Sequence, residues 1–158
     1  MEPVARFRRF LDDAEVPYHL IRHQHDIHAR ATAAHTDTPL DDFAKTVFLM
    51  VDDEPAIAVV PASREVALSK VRRGLDAGSV RKAWESEIEA LCPDCEVGAA
   101  PPFGPIFGIP VYVSHMIAGD EEITFNGGDH EHAFRMRFDD FERLVRPTVL
   151  RLCKHDDA

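Results

Sequence analysis

Lysine is scarce in this 158-residue chain, with four copies, and cysteine is scarcer, with three. A small, odd cysteine count excludes a disulfide framework as the basis of the fold and fits a reducing compartment. No apolar run approaches the ~20 residues of a membrane-spanning helix. The start, MEPVARFRRFLDD, has no apolar stretch leading to a cleavage site, so it does not read as a secretory signal. A cytoplasmic protein without membrane contact is the expectation. There is no Walker A motif, no GxGxxG after a strand and no GxSxG elbow, which speaks against nucleotide-binding folds and acyl-serine hydrolases. Cys92-Pro-Asp-Cys95 has redox-motif spacing, yet it follows a helix and precedes a loop, and no second CxxC exists to complete a zinc site. Nine histidines include a cluster at His23, His25 and His28 and a pair at His130 and His132, none in a zinc-finger or H-E-x-x-H spacing. No metal and no cofactor are expected.

What is present is ordinary for one globular domain over residues 1–158: 45% hydrophobic and 29% charged residues. At this size the chain buries roughly 70% of its unfolded surface without help from metals or crosslinks. Net charge is −10, which by itself disfavours nucleic acid, because phosphate binding rests on Lys and Arg. The charge is uneven. From Arg64 to Lys82, six basic residues (Arg64, Lys70, Arg72, Arg73, Arg81, Lys82) face two acids, a +4 island that reads either as a solvated helical surface or as an RNA-facing patch.

Val4, Phe7, Leu11 and Ala14 recur at helical spacing, predicting an amphipathic helix over 3–15 that stops before Pro17. Tyr18–His23 reads as a short strand and 29–35 as a helix. Phe43–Val51 and Ala56–Val60 are apolar strands around a turn at Asp52–Pro55, hence a hairpin. Residues 63–91 read as two helical pieces broken around Gly74–Gly78, with Ser79 as N-cap of the second. Strands follow at Val111–Ser114, Glu122–Asn126 and Ala133–Phe138, the last alternating Phe134, Met136 and Phe138 against Arg135 and Arg137. Asp139 with Glu142 predicts a capped helix that ends at Pro147. Hairpins and helices without regular βαβ alternation give an α+β fold.

Two features could carry chemistry. Lys45 alone among the lysines begins an apolar strand, on the face shared by Val47, Leu49 and Val51. An ammonium there is costly unless it reaches solvent, a partner or an anionic ligand. The segment GAAPPFGPIFGIP, 98–110, packs three glycines and four prolines into thirteen residues. It is either a rigid connection or a loop that brings backbone N–H groups close to a ligand.

Five motifs in order, Phe43-Ala44-Lys45-Thr46-Val47, Val59-Val60-Pro61-Ala62, Gly98-Ala99-Ala100-Pro101-Pro102-Phe103-Gly104, Pro110-Val111-Tyr112-Val113 and Phe125-Asn126-Gly127-Gly128, resemble the YbaK/ProX family of aminoacyl-tRNA editing proteins. That family includes the editing domain inserted in bacterial prolyl-tRNA synthetases. The likeness runs from about Tyr18 to Pro147. It implies a mixed, partly barrel-like β-sheet surrounded by helices, with a small pocket at its mouth. It implies a trans-acting deacylase that hydrolyses the ester of mischarged tRNA, with the acceptor end of aminoacyl-tRNA as substrate and a synthetase as a further partner. The alternative is a non-catalytic module of the same fold that recognises an amino acid or its conjugate.

By this resemblance Lys45 is the essential lysine, positioning the terminal phosphate or the ester electrostatically, and His130 orients water or the amino group. Thr46, Gly98, Ala99, Pro101, Phe103, Gly104, Gly127 and Gly128 would bind substrate. The substrate's own ribose hydroxyl would help to activate water, so no Ser-His-Asp set is required. Ser114 departs from the pattern, standing where an acidic residue is expected.

Overall fold

The structure is a computed structural model that describes residues 3–156. Helix α1 (Pro3–Asp13) buries Val4, Phe7 and Leu11, the stripe that the periodicity marks. It is followed by β1 (His19–Arg22) and α2 (Ala29–His35). Next come β2 (Ala44–Val51) and β3 (Glu54–Pro61), antiparallel in a register that pairs Lys45 with Val60 and Val51 with Glu54. Asp52 and Asp53 close the hairpin with φ of 48° and 64°. Aspartate tolerates this left-handed geometry, and two positive φ values match the turn to the strand twist.

The predicted second helical piece at 79–91 begins instead as a strand. After α3 (Leu68–Gly74), β4 (Val80–Lys82) adds to β2, pairing Lys82 with Leu49 and Val80 with Val51. Ser79 caps no helix. The Asp52 carboxylate accepts the N–H groups of Gly78 and Ser79 at 2.8 and 2.9 Å, which lays the chain along the open edge of β2. Helix α4 (Glu85–Leu91) starts only afterwards, where Glu87 accepts the Trp84 N–H at 2.8 Å.

The 98–110 segment contains one helical turn, α5 (Gly104–Phe107), and leads into β5 (Val111–Ser114). Then follow α6 (His115–Ala118), β6 (Glu122–Asn126), β7 (His132–Arg137), α7 (Phe138–Val145) and β8 (Thr148–Leu150). Periodicity reveals neither α6 nor β8, each a single turn or a three-residue edge.

The α+β class holds, with two sheets and no closed barrel. Five strands run in the order β4-β2-β3-β5-β8, parallel across β3/β5 and β5/β8, and three antiparallel strands run β1-β7-β6. A bridge between Phe43 and Thr124 joins the start of β2 to β6. One core lies where the two sheets face each other, filled by Phe7, Phe103, Phe125, Phe134 and Phe141. A second core covers the other face of the five-stranded sheet with Leu49, Val60, Val71 and Leu152. Tilted and edge-on rings such as Phe103 on Phe125, 5.2 Å apart, add to the area they bury.

Cys92 and Cys95 form a disulfide, and Cys153 is free and buried. Cys92 ends α4, and the Pro-Asp turn brings the two Cα atoms to 5.4 Å, within bonding reach. Counting cysteines could not reveal that.

Candidate functional site

Strand alternation sends Lys45 and Thr46 to opposite faces of β2. Thr46 looks towards the inter-sheet side, where it lines a cleft of about 180 Å³ together with Phe48, Ala83, Ile88, Gly98 and Ala100. Lys45 leaves on the other face, 23% exposed, with Nζ 3.2 Å from Glu65 Oε1. The Lys45 hydrogen bond and charge hold the Glu65 carboxyl below its usual range, with Lys82 and Lys154 adding to the effect. Lys82 also lines the cleft. The cleft itself therefore carries one cation, Lys82, and one carboxylate, Glu96, while Lys45 stands paired with Glu65 on the other face of β2.

The roof of the cleft is held from below. His130, 4% exposed, has Nε2 2.7 Å from the carbonyl of Val97. A carbonyl only accepts, so Nε2 donates, and Nδ1 is buried without a hydrogen-bond partner. Gly98 follows with φ +80°, and a Cβ there would stand 3.9 Å from the His130 ring. The turn at Gly127 and Gly128 is stitched to the same loop: Gly128 N–H donates to Ala99 O at 2.8 Å, and Glu96 N–H to Gly128 O at 2.9 Å. Thr46, Gly98, Ala99, Gly127, Gly128 and His130 thus come together as one wall and its support.

Pro101, Phe103 and Gly104 go elsewhere. All three are buried, and Phe103 packs among Phe7, Phe10, Phe125 and Phe134 in the main core. Gly104 is closed off by Ile109 and Val111. Ser114 is fully buried at the N-terminus of α6, accepting Met116 N–H at 3.1 Å and the Cys153 thiol at 3.5 Å. Its role is a helix cap.

The model of the aminoacyl-tRNA editing domain matches residues 23–144, most of the chain. The chain belongs to the aminoacyl-tRNA editing domain family. Solved structures agree on the fold. One described as a candidate trans-editing enzyme for prolyl tRNA synthetase aligns at TM-score 0.83 and 18% identity, covering 98% of each chain. A hypothetical protein, APE2540, aligns at TM-score 0.84 and 15% identity over 94% of this chain and 99% of that one. A candidate signal transduction protein from Marinobacter aquaeolei VT8 aligns at 0.72 and 16%, over 94% of this chain but 30% of its own length. No curated protein matches the sequence.

Several histidines of this editing domain are engaged with carboxylates. Asp26 takes His35 Nδ1 at 2.7 Å and His23 Nδ1 at 3.3 Å, and Asp129 takes His132 Nδ1 at 2.9 Å. Among the described residues the one trio with metal-ligand geometry is Cys92, Asp94 and Cys95, whose two sulfurs are joined to each other. No helix among them is long and apolar enough to cross a membrane.

The editing domain has a second, larger cleft of about 480 Å³, and its chemistry repels phosphate. It is lined by Asp37, Asp42, Asp120, Glu121 and Glu122, with Arg135 alone in opposition. Burial, then the neighbouring Asp42, pushes the Asp120 carboxyl up to about 7. Between its ordinary pKa of 3.8 and 7 the folded state holds a proton that the unfolded state lacks, so stability falls as pH rises through that window. Solvent at the half-buried side chain screens much of the effect. Asp120→Asn should therefore raise Tm at pH 8 by about 2–4 °C, a gain of about 1 kcal/mol. Melts at pH 4 and pH 8 check this: the gain should vanish at the lower pH, and an equal gain at both would refute the assignment.

Proposed function

We propose that this chain is a trans-acting aminoacyl-tRNA deacylase, hydrolysing the ester between a wrong amino acid and the tRNA 3′ end. The observation that carries the reading is a small cleft, walled by Thr46 and the Gly98 loop and lined by Lys82, which with Lys45 acts on Glu65. On this reading Lys82 and Lys45, once released from Glu65, attract the phosphate, and the cleft takes a small side chain. The family match supports the aminoacyl-tRNA substrate.

Water adds to the ester carbonyl, the carbon–oxygen bond to ribose breaks, and the ribose oxygen takes up the proton that water loses. Free amino acid and intact tRNA are the products. Lys45, exchanging Glu65 for a phosphate, positions the terminal nucleotide, and this converts a bimolecular encounter into an oriented one. Thr46 and the backbone of Gly98 and Ala99 border the aminoacyl group. His130 acts as a positioning residue, because its bond to Val97 O fixes the loop that carries Gly98.

Turnover tests the reading. Purified protein mixed with a panel of mischarged tRNAs should release amino acid catalytically from at least one of them, faster than the spontaneous rate. Stoichiometric binding of aminoacyl conjugates with no release from any tRNA would establish the non-catalytic module instead.

A further inference from the structure

Trp84 is the single tryptophan of the chain and is 65% exposed. An isolated surface aromatic needs no explanation. This one differs because its orientation is built. Arg81 lies over the indole with Cζ 4.1 Å from the ring centroid. The guanidinium is itself forked onto Glu87, Nη1 to Oε1 and Nη2 to Oε2, both at 2.8 Å. Glu87 Oε1 also accepts the Trp84 backbone N–H, so one carboxylate fixes both the ring's backbone and the cation on its face. The Arg81 and Trp84 hydrogen bonds hold Glu87 down to about 2, which keeps the clamp ionised at every pH of interest. A planar side chain with its conformational freedom already removed loses little on binding.

Its place matters as much as its rigidity. Lys82 and Ala83, the two residues before it, line the cleft, and Ala83 N–H donates to Phe48 O at 2.9 Å. The register of β4 against β2 runs Val80, Arg81, Lys82 towards the Lys45 end of β2. Arg72 and Arg73 are exposed on α3, which packs beside β4. Much of the +4 island is committed: Arg81 to Glu87, Lys70 to Asp156, and Arg64 to the carbonyl of His155. Arg72, Arg73 and Lys82 are the exposed cations of the island that remain, with Asp53 and Asp76 exposed near them and Glu85 and Glu89 on α4.

Resting on the deacylase reading above, we infer that the Trp84 indole, clamped by Arg81 and Glu87, is a stacking platform for a base of the single-stranded tRNA 3′ end. The terminal nucleotide sits at the cleft, so the nucleotides before it must cross the rim, and the basic side of that rim runs over β4 and α3. Stacking on an aromatic face accepts any base and suits a segment that all tRNAs share. A protein partner is the less favoured occupant, because Arg72, Arg73 and Lys82 offer exposed cations to a phosphate chain.

The single tryptophan makes the test direct. Its fluorescence should quench saturably when a short single-stranded RNA ending in CCA is titrated in, and less steeply as salt rises. Trp84→Ala should raise KM for a mischarged minihelix about 10-fold, which is about 1.4 kcal/mol, with a smaller change in kcat. Trp84→Phe should recover part of the loss. The Trp84→Ala effect should be smaller on an aminoacyl-adenosine, which has no preceding bases. Quenching without deacylation of any tRNA leaves the platform standing and fails the hydrolytic reading. Deacylation without quenching, and with an unchanged KM in Trp84→Ala, overturns the platform. Fluorescence silent to RNA but shifted by an aminoacyl-tRNA synthetase overturns it in favour of protein docking.

Discussion

Lys45→Ala should lower deacylation at least about 100-fold while moving Tm by no more than about 2–4 °C. The two effects separate because the lysine's bond within the protein is weak. Its partner Glu65 is 64% exposed, and exposed pairs contribute about 0–1 kcal/mol. The Glu65 carboxyl is depressed below 4.5, so that small contribution is present above pH 4.5 and fades as pH falls through the depressed value. A cation aimed at substrate charge, by contrast, is worth about 10²–10³ in rate when removed. Single-turnover rates on the best mischarged tRNA, beside thermal melts, read out both. Activity within a few-fold of wild type would remove Lys45 from the mechanism, and a collapsed Tm would make it structural.

The second large effect divides two glycines that look alike in sequence. Gly104→Ala should cost about 3 kcal/mol, or at least 6 °C in Tm. Its Cβ would sit 2.4 Å from both Ile109 O and Val111 Cγ2, and Pro110 restricts the ψ rotation that would move the Ile109 carbonyl aside. Gly98→Ala should cost about 1–2 kcal/mol, the strain of a left-handed backbone at φ +80°. Its methyl group has room, and it points at the His130 ring beside the cleft. That variant should fold and change the ratio of rates for two amino acids differing by one methylene, a discrimination worth about 1–3 kcal/mol. Melting curves and that ratio, measured on one tRNA, decide the matter. If Gly98→Ala keeps the wild-type ratio and rate, the loop is a connector and not a wall.

The same contrast shows where sequence stops being informative. Glycine content and proline stiffening mark 98–110 as a shaped segment, but which glycine meets backbone and which meets a histidine depends on chains remote in sequence. The pairing of Glu65 with Lys45 and the places of Lys82 and Trp84 at the rim escape a sequence reading for the same reason. Glu65, Lys82 and Trp84 belong to a helical-looking stretch, and only the pairing of β4 with β2 carries Lys82 and Trp84 to the rim. Three residues with two charges hold no strand signal of their own; the open edge of β2 and the Asp52 carboxylate supply it.

Periodicity determined what depends on neighbours along the chain. The apolar stripe of α1, the β2–β3 hairpin with its two-aspartate turn, the alternation of β7 and the lone lysine opening β2 were all legible, and five ordered motifs were enough to reach the family. The tertiary structure alone decided the split into two sheets, the short β8 edge, the Cys92–Cys95 bond and the placement of Phe103 in the core instead of the cleft. Each of these turns on a partner supplied by a distant segment. A residue's burial preference states that it will be covered, and only the packed chain states by what.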